Sequence, residues 1–206
     1  MILNNPQKTR SARNRNGFVV QLFERTGSKK VEVKMNIFVT SDNHFSHTRI
    51  IDLCHRPFAN VDEMNFMMVR YWNEVVEKND VVYHLGDFTL SDEKVAKHFI
   101  QQLNGKIKIL GMPWHHDKRW LEYAPDMKSR SGYTVEVLPP MVVIRELGTT
   151  FHLSHYPLAD WEQMYRGGIH LHGHTHGNYT TTQERIMDVG VDCTDFAPIE
   201  LDSFVV

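Results

Sequence analysis

Cysteine is scarce: the 206-residue chain has two, Cys54 and Cys193. They form no Cys-x-x-Cys pair, which excludes a disulfide framework and zinc-finger spacing and suits a reduced, cytoplasmic setting. Long apolar runs are missing. No stretch approaches ~18 uninterrupted apolar residues, so no transmembrane helix is expected. The N-terminus also lacks the apolar core of a signal peptide. Charge of one sign is short, at −2 with histidines neutral, so the whole-chain charge argues for neither a nucleic-acid nor a membrane partner. There is no internal repeat and no low-complexity tract. With 41% hydrophobic and 23% charged residues, the chain reads as an ordinary soluble domain.

The charge that is present is uneven. Residues 1–35 carry a balance of +6 and the remainder −8. Residues 1–16 are polar and basic and read as a flexible arm, with a nucleic-acid contact as the alternative. Phe18 to Phe23 and Val31 to Val33 suit two strands of a β-hairpin turning at Thr26-Gly27-Ser28. Residues 1–35 therefore form an appendage, and residues 36–206 the main domain.

Within that domain, strands are expected at Ile37–Val39, Val81–Tyr83 and Lys106–Leu110. Met64, Met67, Met68, Tyr71, Trp72 and Val75 recur at helical spacing, giving a helix over Asp62–Lys78 capped by Asp62. A second helix runs from Ser91 or Asp92 to about Leu103, and short helices are expected near Lys118–Tyr123 and Asp160–Tyr165. The second half reads as β: Tyr133–Leu138, Met141–Glu146, Thr150–Ser154, Gly168–His172, Ile186–Val191 and Ile199–Leu201.

Histidine is what the chain has in quantity. Four of its 13 histidines alternate in His170-Leu171-His172-Gly173-His174-Thr175-His176. A strand ending at His172 would leave His174 and His176 at its carboxyl end. Other strands end the same way, in Asp42/His44, Asp87, His115/His116 and His155. Ligands bind beyond the carboxyl ends of strands in open α/β sheets. Carboxylate and imidazole without thiolate suit Mn²⁺ first, with Fe, Zn²⁺ or Ni²⁺ as alternatives. The number of candidate ligands suggests two cations sharing a carboxylate.

The motifs Asp42-Asn43-His44, Gly86-Asp87, the loop ending His116-Asp117, Ser154-His155 and Gly173-His174-Thr175-His176 come in this order. Together they resemble the calcineurin-like metallophosphoesterase family, from about Asn36 to Phe204. The phrases His84-Leu85-Gly86-Asp87-Phe88 and His155-Tyr156-Pro157-Leu158 look like its compact bacterial and phage branch. The resemblance implies an α/β fold with two mixed β-sheets packed face to face and helices outside, a four-layer sandwich. It implies that Asp42, His44 and His176 hold one metal, that Asp87 bridges, and that His155 and His174 hold the second. His116 matches the histidine that contacts the phosphate or leaving oxygen. The implied activity is hydrolysis of phosphate esters by a metal-bridged hydroxide. A nucleotide or nucleic-acid phosphodiester is the leading substrate, and a small-molecule phosphomonoester the alternative.

Two departures matter. The family's third motif has an Asn that ligates the second metal, whereas this chain has Gly111-Met112-Pro113-Trp114-His115-His116-Asp117. Either His115 takes the Asn place, or the loop is displaced and the second site is weak. The latter would suit a binding module that keeps the fold without the chemistry. Gly86-Asp87 continues as Phe88-Thr89-Leu90, without the Asp and Arg of protein phosphatases, which argues against that activity and leaves His116 without an identified orienting partner. His47, Arg49 and Arg56 are candidate substrate contacts, Arg49 and Arg56 through bidentate hydrogen bonds to phosphate. His170 and His172 read as supporting residues, and His84 as a support for Asp87. Trp114, Trp120 and Trp161 divide between base stacking and core burial. The oligomeric state is left open.

Overall fold

The computed structural model of the chain describes residues 10–13, 19–22, 35–112 and 114–205. In order, the strands are β1 (Arg10–Arg13), β2 (Val19–Leu22), β3 (Ile37–Thr40), β4 (Val81–His84), β5 (Lys106–Leu110), β6 (Glu136–Leu138), β7 (Met141–Glu146), β8 (Thr149–Ser154), β9 (Ile169–His172), β10 (Ile186–Asp188) and β11 (Ile199–Glu200). The helices are α1 (Arg49–Leu53), α2 (Val61–Val75) and α3 (Glu93–Ile100).

Two mixed sheets make an α/β fold. One has the order β11-β3-β4-β5-β6, with β3 to β6 parallel and β11 antiparallel. The other has the order β10-β9-β8-β7, parallel except for the β7–β8 hairpin. The alternation of each strand decides what goes where. Val39, Leu85 and Leu110 face Phe151, Leu153, Ile169 and Leu171, so the two sheets bury a common apolar layer. The opposite faces of β3, β4 and β5 present Phe38, Val82, Ile107 and Ile109 to Met64, Met68, Trp72, Phe99 and Ile100 of the helices.

Helix α2 buries Met64, Met68 and Trp72, one residue per turn along one stripe. Its cap is Asn60 rather than Asp62: the Asn60 side chain accepts from Glu63 N, while Glu63 Oε2 accepts from Ala59 N. Asp92 caps α3 through Lys94 N and Val95 N.

Among the described residues, no helix forms the expected fourth layer. On the outer face of the second sheet irregular chain packs Leu158, Trp161 and Met164 on Ile186, while Met141 and Val143 of β7 stay exposed. The helix expected over Asp160–Tyr165 shrinks to a 3-10 turn at Met164–Arg166, because Gln163 (φ 62°) and Gly167 (φ 91°) on either side take left-handed backbone. The helix expected near Lys118–Tyr123 is two 3-10 turns, His116–Arg119 and Leu121–Asp126. Near the N-terminus β2 pairs antiparallel with β1. Arg10–Arg13, expected in the flexible arm, is thus the partner strand. The expected strand Val31–Val33 and its turn lie outside the described residues, as does most of the arm.

Candidate metal centre

β3, β4, β5, β8 and β9 all deliver chain to one end of the molecule. The loops after β3 and β4 continue to pair: Asp42 N donates to Gly86 O at 3.0 Å, and His44 N to Asp87 O at 2.9 Å. The second sheet joins at Ser41, which bridges to Gly190. Asp42, His44, Asp87, His174 and His176 all have positive φ, between 48° and 69°. L residues pay for left-handed backbone, and such residues gather where the surrounding structure holds functional groups in place. Gly173 is required for a different reason: a Cβ there would overlap Asp42 Oδ2 and Ser41 Oγ.

Two groups of ligand atoms converge. Asp42, His44 and His176 offer atoms within 4.8 Å of one another, and so do Asp87, His115 and His155. Asp87 stands between the groups. Its Oδ2 lies 3.5 Å from His44 Nε2 and 3.6 Å from His155 Nε2, and its Oδ1 3.1 Å from His115 Nε2. His115 therefore occupies the cluster and is not displaced from it. His174 stands one step out, its ring 5.1 Å from that of His155, while its backbone N donates to Asp42 Oδ2 at 2.8 Å.

The electrostatics suit cations. Burial, with repulsion from Asp42 and Asp117, pushes Asp87 up to about 9, and burial pushes Asp42 up to about 6. Burial and the neighbouring His115 and His174 hold His155 down to about 2. His44 is held well below the ordinary imidazole range, first by burial and then by Arg56. Carboxylates that resist ionising and imidazoles that resist protonation are what a buried site shows when no positive charge faces it. Asp42 Oδ1, Asp87 Oδ1, His44 Nε2 and His155 Nε2 are buried without hydrogen-bond partners, although buried polar atoms are nearly always paired. Divalent cations with oxygen and nitrogen ligands would satisfy all four atoms, so these residues fit the group.

The side chains behind the clusters include three carboxylates to which the sequence reading assigned no role, Asp117 standing there only as the end of a motif. Asp192 Oδ2 accepts from His176 Nδ1 at 2.6 Å. Asp117 is fully buried, accepts from Phe88 N, Thr89 N and Trp120 Nε1, and lies 3.7 Å from His115 Nδ1. Asp188 accepts from Thr175 Oγ1, Gly177 N and Gly190 N, closing the turn that carries His174 and His176. His84 accepts from Gly86 N and bonds Asn43 Oδ1 at 2.8 Å, so it supports both loops. His170 is buried structure: its Nε2 accepts from Leu158 N, and its Nδ1 donates to His152 O.

Arg56 is not available to a substrate. It is buried, its Nε and Nη2 grip Asp192 at 2.8 Å each, and Nη1 and Nη2 donate to the carbonyls of Asn43 and Asp42. Arg49 lies exposed on α1. The His47 ring lies 5.5 Å from that of His44, and burial and nearby His116 lower its pKa. His116 is exposed, its ring 6.4 Å from His44 and 5.7 Å from His115, and burial and His115 lower its pKa. Tyr156 completes this rim, its ring 4.5 Å from His174 and 4.9 Å from His155. Trp120 and Trp161 are core residues, whereas Trp114 is 65% exposed.

No protein-family model matches the chain. It is 33% identical over 177 residues to uncharacterized protein MJ1445 of Methanocaldococcus jannaschii, covering 82% of this chain and 89% of that one. The Gene 66 protein of Mycobacterium phage D29 is 29% identical over 191 residues, covering 80% and 92%. Among solved structures, AQ665, a protein of unknown function from Aquifex aeolicus, shares the fold with a TM-score of 0.62 at 22% identity, covering 82% of this chain and 97% of that one. A conserved uncharacterized protein of Streptococcus pneumoniae TIGR4, a predicted phosphoesterase, is 19% identical, covering 78% of this chain and 73% of that one, with a TM-score of 0.34. Sharing a third of its residues with the Methanocaldococcus jannaschii protein across most of both lengths, this chain belongs to that protein's family.

Proposed function

We propose that the chain is a phosphoesterase that works with two divalent cations, manganese first among them, on a phosphodiester of a nucleotide or nucleic acid. The observation that carries the reading is Asp87, one carboxylate shared by two imidazole clusters. Asp42, His44 and His176 would hold one cation. His115 and His155, with His174 beside them, would hold the other, and Asp87 both. Such a pair supplies a nucleophile at neutral pH and offsets charge on the phosphoryl oxygens.

The remaining chemistry belongs to the rim. Hydrolysis adds water across a P–O bond, and the departing oxygen needs a proton. His116 is exposed and its ring lies within 7 Å of those of His44 and His115, where it can donate one. A bound phosphate anion would raise its pKa from the lowered value. Half-exposed Tyr156, its ring beside His155 and His174, favours a substrate with a flat base over a small phosphomonoester.

The test is release of nitrophenol from bis-(p-nitrophenyl) phosphate by manganese-loaded protein. Activity is expected in the wild type and is lost in Asp87→Asn. His116→Asn is expected to keep its metal and lose about 10²- to 10⁴-fold in kcat. No turnover of mono- or diesters by protein holding two equivalents of metal would leave a binding module as the reading.

A further inference from the structure

We infer that Asp192, held by Arg56, is the positioning residue that makes the Asp42–His44–His176 cluster the tighter of the two cation sites. The inference rests on the two-cation reading and deepens it by ranking the sites. Asp192 Oδ2 accepts a hydrogen bond from His176 Nδ1 at 2.6 Å. An imidazole protonated at Nδ1 presents a lone pair at Nε2, and a carboxylate on the far nitrogen both selects that form and fixes the ring. His176 Nε2 faces Asp42 Oδ1, 4.0 Å away, across the cluster.

Arg56 extends the support. It grips both oxygens of Asp192 at 2.8 Å and gives other donors to the carbonyls of Asp42 and Asn43. One guanidinium therefore fixes the carboxylate that orients His176 and the backbone that carries Asp42. The Arg56 side chain is 0% exposed and that of Asp192 8%, so water does not loosen the arrangement.

The Asp87–His115–His155 cluster has no equivalent among the described residues. His155 has the backbone of Leu85 against its ring and no carboxylate within hydrogen-bond distance, and Asp117 lies 3.7 Å from His115 Nδ1, beyond that distance too. His115 and His155 are held by burial, but no carboxylate selects their tautomer and raises their basicity as Asp192 does for His176. His44 is unsupported too, so the advantage of the first cluster comes through His176.

The experiment is calorimetric titration of Mn²⁺ into the metal-free full-length chain at pH 8, for wild type, Asp192→Asn and His155→Asn. The wild type is expected to show a tight and a weak class. Asp192→Asn is expected to weaken the tight class about 10- to 100-fold and spare the weak one, and His155→Asn to remove the weak class alone. Nitrogen NMR of metal-free protein should show His176 protonated at Nδ1 in the wild type and shifted from that form in Asp192→Asn, a change that loosened packing alone would not produce. If Asp192→Asn does not fold, Asp192→Glu, which keeps a charge for Arg56 and displaces the acceptor, is expected to give the same pattern. Two equal classes in the wild type, an unchanged tight class in Asp192→Asn or equal weakening of both would overturn this inference alone. No uptake by the wild type would overturn the two-cation reading with it.

Discussion

Arg56 shows how far a side chain's meaning depends on what surrounds it. In sequence it is a cation near a Asp-Asn-His motif, and a forked guanidinium suits phosphate. Folded, it is buried, and its donors end on Asp192, Asn43 and Asp42. Arg56→Ala would strand the Asp192 carboxylate, nearly buried, without its cation. We expect it to cost about 3–5 kcal/mol of stability, read from denaturant midpoints. A substrate-holding arginine would instead leave stability alone and raise KM. The candidate ligands were legible because their pattern is local: a strand, a turn, then Asp or His. Their supports were not. Asp192, Asp117 and Asp188 are ordinary acidic residues until the fold brings Asp192 to His176 and Asp117 to Phe88 and Thr89.

Among elements, the strands were the readable part, since Ile37–Thr40 and Val81–His84 are short β-branched or apolar runs largely buried on both faces, and Lys106–Leu110 alternates lysine with buried Ile107 and Ile109. Helix α1 escaped notice because five residues hold too little periodicity to register. The segment before β9 misled, since its apolar residues fit a helix while Gln163 and Gly167 reverse the backbone. β9 itself carries a titratable fault line. Burial holds His170 down to about 4, outweighing its hydrogen bond to His152. The unfolded chain takes up the proton at the ordinary value of about 6.5, so it binds more protons than the fold does between those two pH values. Stability contributed by neutral His170 is therefore complete above about 6.5 and lost as pH falls towards 4, by about 3 kcal/mol in all. In denaturant melts across that range, His170→Asn should start less stable than wild type and lose stability less steeply. The difference between the two slopes isolates His170 from the site carboxylates.

At the scale of the molecule, the candidate ligands run from Asp42 to His176 and are drawn from both sheets. Face-to-face sheets were what the family resemblance implied, and the structure forms two mixed sheets, with Val39 and Leu85 meeting Phe151 and Leu171. That the described residues put irregular chain rather than helices on the outer face near Ile186 was not legible, because irregular chain leaves no periodic trace. Cations gripping both sheets would act as staples. Each site at a hundredfold excess over its Kd adds about 2.7 kcal/mol, and each kcal/mol moves the Tm of a domain this size by about 2–4 °C. Manganese should therefore raise Tm by roughly 10–20 °C and EDTA reverse it, more at pH 8 than at pH 6 because the ligands must shed protons to bind.

The backbone signs at the centre set a trade-off between working and lasting. Five residues at the loops that carry the candidate ligands keep φ between 48° and 69°, a conformation that costs an L residue roughly 1–2 kcal/mol and glycine almost nothing. His174 is exposed and has little packing to lose. Metal-free His174→Gly should then melt no lower than wild type, and of order 1 kcal/mol higher, while its manganese-induced gain in Tm shrinks. Selection for heat resistance alone, with no demand on turnover, would be expected to erode this loop first.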